Sequence, residues 1–159
     1  MSSHTIFSVL PLLLLSGCSG PTPFFSVDPA FIPYRNEFVN YATQYNKVNN
    51  SQTISIMFAD LPADQLSKEV GVCISGFTDG NHIQIDKITW SSLNDWERRS
   101  LIFHEMGHCC LGRVHRTDTA LNFYLGSYAP VSIMYPYLEN DLNNFDVTTM
   151  VDELFTVYP

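Results

Sequence analysis

The stretch "SSLNDWERRSLIFHEMGHCCLG", residues 91–112, decides the fold. Ser92 or Asn94 can accept a backbone N–H at a helix start, and Asp95 or Glu97 follows three residues later, as a capping box requires. Acidic charge in a first turn suits the positive end of the helix dipole. Gly112 suits the left-handed position that ends a helix. The pattern therefore predicts one long helix, with His104, Glu105 and His108 in its last third.

Residues four apart on a helix project from one face, one turn apart. His104 and His108 thus offer two imidazoles to a common point, at the spacing a metal needs. Glu105 lies beside that point rather than on it. It can take a proton from an activated water and pass it to a leaving amine. In a chain with only five histidines, this pattern so late in a capped helix points to a catalytic zinc rather than to solvated side chains.

Outward from this helix, the chain is built for one domain. It has 159 residues, 45% hydrophobic and only 15% charged. Its formal net charge of −8 repels phosphate backbones and argues against nucleic acid as a partner. Before the helix, "PYRNEFVNYATQYNKV" (33–48) spaces Phe38, Tyr41, Tyr45 and Val48 by threes and fours, predicting an amphipathic helix. "TISIMFAD" (53–60), "VGVCISG" (70–76) and "HIQIDKI" (82–88) read as strands. Residues 117–140 read as mainly irregular. "NNFDVTTMVDELF" (143–155) predicts a C-terminal helix with Phe145, Thr149 or Met150, and Leu154 inward. Helix, small sheet, helix, loop, helix is an α+β order. Trp90 and Trp96 read as core, His82 as structural or exposed, and Arg113 and Arg116 as solvated loop charges.

The amino terminus reads as a targeting segment. "IFSVLPLLLLSGC" (6–18) is too short to span a membrane and ends in small residues and Cys18. "LSGC" resembles the lipobox of bacterial lipoproteins. That resemblance implies cleavage after residue 17 and a lipid on Cys18; Ser19 resembles outer-membrane sorting in Gram-negative bacteria. The region before the apolar run has no Lys or Arg, a departure from the usual signal. Residues 18–33, with four prolines, read as a tether, leaving 34–159 as the domain. Export implies an oxidising compartment, where Cys73 is expected to pair with Cys109 or Cys110.

With "HEMGH" and "SIMYPY" (132–137) together, the chain resembles the metzincin clan of zinc peptidases. The latter stretch is closest in letters to the Met-turn of matrixins. The resemblance implies a small zincin domain with a short twisted sheet, an active-site helix and a C-terminal helix. It implies one zinc ion held by His104, His108 and His115, with Glu105 as general base and Met134 as the Met-turn residue. Tyr135 and Pro136, with Tyr137, would line the cleft. Strand 82–88 would be the edge strand along which substrate aligns, and the chain would be a monomeric endopeptidase acting on proteins or peptides. The clan's pattern is His-Glu-x-x-His-x-x-Gly-x-x-His; here Gly112 and His115 each come one residue late. One extra helical residue turns the exit by about 100° and lifts it about 1.5 Å. Asp118 is the substitute third ligand, and a gluzincin-like site with Glu139 or Glu153 is the alternative. A further alternative is a zinc-stabilised binding or scaffold lipoprotein that does not cut.

Overall fold

A computed structural model describes residues 25–47, 51, 53–61, 70–76, 80–122, 126–137 and 147–156. The expected signal, the expected lipidation site Cys18, and Val48, Glu139 and Phe145 lie outside them. Asp28 caps a 3₁₀ turn, Pro29–Phe31, by accepting the Ala30 N–H at 3.0 Å. Helix α1, Ile32–Gln44, follows and buries Phe38 and Ala42. Strands β1 (Ser55–Ala59), β2 (Gly71–Ile74) and β3 (His82–Asp86) form a sheet in the order β1-β3-β2. β1 runs parallel to β3, and β2 antiparallel to it. Ile56 lies opposite Ile83, and both are fully buried with Ile85 on the face turned to the core.

Two sequence expectations change here. The tether does not reach residue 33. Ser26 O accepts the Ile56 N–H and the Asp28 N–H donates to Ile56 O, both at 2.9 Å, which pairs Val27 alongside β1. Phe31 is fully buried, against Phe58 and Trp90. Burying one such ring contributes about 2–3 kcal/mol, so this segment belongs to the domain. Strand 82–88 is not an edge either. β3 is hydrogen-bonded on both sides, and it stops at Asp86 because that carboxylate caps helix α2, Lys87–Ser92. It accepts from the Thr89 N–H and hydroxyl, both at 2.7 Å. Ile88 is consequently on the surface. β2 takes the outer place in the sheet.

Helix α3, Asp95–Leu111, is the predicted long helix. Asn94 and Glu97 form the capping box at 3.0 and 2.7 Å, and Gly112 ends the helix at φ 66°. Leu101, Ile102, Phe103 and Met106 enter the core, and Trp90 does too. Phe103 meets Phe38 of α1 edge to face. Residues expected to be irregular include a hairpin, β4 (Thr119–Asn122) with β5 (Ser127–Pro130). Leu121 faces Tyr128 across it, and both are exposed. Helix α4, Val147–Thr156, buries Met150, Val151, Leu154 and Phe155, with Met150 rather than Thr149 inward. Phe155 packs on Phe38 and stacks on Tyr45, closing α4 against α1. The architecture is α+β. Among the described residues, no helix is long and apolar enough to cross a membrane.

Cys73 of β2 is bridged to Cys109 of α3. Cys110 lies about 100° further round the helix, away from β2. Burial pushes its thiol up to about 12.

Candidate metal centre

α3 carries His104 and His108 on one face, as the spacing predicted. His115 joins them from the loop after Gly112. The Nε2 atoms of His108 and His115 each lie 3.1 Å from Nε2 of His104. Three nitrogens on a tetrahedral zinc, at bonds of 2.0–2.1 Å, would lie about 3.3 Å apart. The three rings therefore converge at metal-ligand spacing, and together they form a group that can hold a metal ion.

Hydrogen bonding fixes the tautomers. Nδ1 of His104 donates to Ile133 O at 2.8 Å, and Nδ1 of His108 donates to Arg113 O at 2.6 Å. A carbonyl can only accept, and a neutral imidazole carries one N–H. Nε2 is then a bare lone pair on both rings. Two lone pairs 3.1 Å apart cannot hydrogen-bond; a shared cation turns that repulsion into ligation. Burial, then the neighbouring His108 and His115, holds His104 down at about 4, so it is neutral at pH 7. Burial likewise lowers His108. Backbone carbonyls on Nδ1 are the usual partners that aim metal-binding histidines.

The one-residue offset is absorbed at the end of α3. In a Schellman ending, the second N–H beyond the helix closes onto a carbonyl five residues back. Here the Gly112 and Arg113 N–H groups both go to Gly107 O, five and six residues back. The last turn holds one residue more than usual, in the manner of a π-bulge. His115 thus returns to the helix face that a shorter ending would also have served.

Met134 lies beneath the ligands. It is fully buried, and a Cβ built on Gly107 would fall 2.6 Å from its sulfur. Gly107, between the two helical histidines, is the clearance for that contact. The turn is tied at Tyr135 N–H to Ser132 O (3.2 Å), Met134 N–H to Ser132 Oγ (3.0 Å) and Arg116 N–H to Met134 O (2.8 Å). Tyr135 and Pro136 are half-buried next to this turn, and Tyr137 is exposed with its ring 5.8 Å from that of Tyr135.

Glu105 is buried. A Cβ on Gly71 of β2 would meet its Cγ and Oε1 at 2.9 Å, so a glycine at that place in the strand leaves room for the carboxylate. The alternative ligands are elsewhere. Asp118 is exposed and takes the Arg116 guanidinium at 2.5 Å. Glu153 takes Arg113 at 2.5 Å and Arg116 at 3.0 Å through one oxygen, and the Ser132 hydroxyl at 2.6 Å through the other. Arg113 is accordingly a buried, paired cation, not a solvated loop charge. Sequence reasoning missed Gly71, Gly107 and the Glu153 cluster. A glycine inside a strong helix was the one local signal available.

No family model matches the chain, and no curated protein and no solved structure matches it. The metzincin likeness rests on the motif residues alone.

Proposed function

We infer that the protein is a zinc-dependent endopeptidase whose centre is His104, His108 and His115, with Glu105 as general base. The observation that carries the reading is the convergence of three Nε2 atoms at ligand spacing, two of them with Nδ1 engaged by a carbonyl. Three imidazoles suit zinc and leave a coordination position open for chemistry. Zinc bound there supplies Lewis acidity, which polarises a peptide carbonyl and makes water acidic near neutral pH.

The rest falls to the chain's own residues. Glu105, one position round α3 from His104, accepts the proton of the attacking water and returns it to the leaving amine. Its burial against Gly71 keeps the carboxylate out of bulk solvent, and in that less polar setting its charge acts more strongly than it would in water. Ile133 O and Arg113 O hold the helical imidazoles as neutral donors. A scaffold without catalysis has no use for a buried carboxylate at this place. The "LSGC" motif at Cys18 extends the reading to an enzyme displayed on a lipid anchor at the outer membrane.

Glu105→Gln in the soluble domain tests it. Hydrolysis of a denatured-protein or peptide-library substrate should fall at least about 100-fold, with zinc content by mass spectrometry unchanged. Full activity with zinc bound would sink the mechanism.

A further inference from the structure

We propose that Glu153, on the C-terminal helix, is a positioning residue that sets the third ligand, His115. The inference rests on the metal-centre reading above. His104 and His108 are aimed by a helix. His115 is exposed on a loop that follows a widened helix end. Something other than regular backbone must fix where that loop lies.

One carboxylate does so from both sides of the ligand. Glu153 Oε1 receives Arg113 Nη2 at 2.5 Å, two residues before His115, and Arg116 Nη1 at 3.0 Å, the residue after it. Arg113 is held further by the Glu153 and Leu154 carbonyls, each 3.3 Å from Nη1. Glu153 Oε2 accepts from the Ser132 hydroxyl, whose oxygen accepts the Met134 N–H. The Arg116 N–H closes back onto Met134 O. The loop carrying His115, the turn carrying Met134 and helix α4 therefore share one partly buried anion. The Glu153 side chain is only 11% exposed. A carboxylate there, with one oxygen shared by two guanidiniums and the other taken by the Ser132 hydroxyl, pins both sides of the loop to one point.

Glu153→Gln keeps the shape and removes the charge that orients both arginines. Zinc affinity of the full chain, measured by chelator competition, should weaken about 10–100-fold, the usual effect of residues behind metal ligands. The decisive readout is a double-mutant cycle with His115→Ala. If Glu153 acts through His115, then Glu153→Gln costs less than about 3-fold in the His115→Ala background. The visible spectrum of the cobalt-loaded Glu153→Gln protein should resemble that of cobalt-loaded His115→Ala. Arg116→Gln, at a half-exposed side chain that folding tolerates, should give a smaller loss that vanishes in the same background. Unchanged affinity in Glu153→Gln or Arg116→Gln, or an equal loss with and without His115, overturns the proposal. No turnover is measured, so the outcomes separate cleanly. Wild-type protein that binds zinc through His115 but cuts no peptide defeats the peptidase reading only. Wild-type protein that binds no zinc defeats the centre itself.

Discussion

Glu105 and Gly71 show how one missing side chain can place another, here the carboxylate proposed as the base. Gly71 has no positive φ to demand glycine; what excludes a side chain is the carboxylate opposite. A Cβ would arrive 2.9 Å from Glu105 Cγ and Oε1, closer than van der Waals contact. The carboxylate is the free end of a flexible chain and can swing away. Gly71→Ala is therefore expected to keep the fold, with a melting temperature within a few degrees of wild type and zinc retained. It should move the base by several tenths of an ångström or more. Such misplacement can cost up to about 100-fold in rate, so kcat should fall about 10–100-fold with KM little changed. Steady-state kinetics and zinc content on the same preparation check this. A loss carried by KM alone would mean that Gly71 serves substrate and not the base.

At the scale of elements, α3 was readable because its signals are local: cap, charge, histidine spacing and terminal glycine lie within 22 residues of chain. Other features depend on partners far away. Residues 25–33 look like a tether by composition, yet Val27 pairs with Ile56 and Phe31 enters the core. Arg113 reads as a loop charge until α4 brings Glu153 beside it. The β4–β5 hairpin has exposed residues on both strands, so no alternation announces it. The disulfide is intermediate: pairing was legible, but the choice of Cys109 over Cys110 depends on which side of α3 faces β2. It ties β2, which bears Gly71, to the ligand helix across a separation of 36 residues. Closing a loop of that length stabilises by about 2–4 kcal/mol. The double variant Cys73→Ala, Cys109→Ala should lose that much in urea unfolding, with a somewhat steeper urea slope because the uncrosslinked chain unfolds to a more expanded state. A loss below about 0.5 kcal/mol, well under that range, would show that sheet hydrogen bonds alone secure β2.

At the scale of the molecule, the centre and the core are one structure. Gly107 meets Met134 and Leu154, α4 supplies Glu153, and the same helix α3 carries both ligands and core residues. Metal occupancy should therefore appear in global stability. His104 makes the pH dependence specific. Its ordinary value is 6.5, and burial lowers it to about 4 in the folded protein. Between these limits the unfolded chain binds a proton that the folded chain refuses, so acid favours unfolding. Above about pH 6.5 the contribution is fully present; it is lost as pH falls through about 4, and further acid adds nothing from this group. The interval corresponds to at most about 3 kcal/mol. Chelator-stripped protein should show melting temperatures that are flat above pH 7 and decline towards pH 4. Zinc should raise the plateau by an amount that grows with free metal concentration. His104→Gln should make the acid limb of the stripped protein shallower, leaving the part that the likewise lowered His108 contributes, and abolish most of the zinc-dependent rise. If the stripped wild type kept its plateau down to pH 4.5, His104 would not be the buried neutral ligand that the Ile133 hydrogen bond and its burial imply.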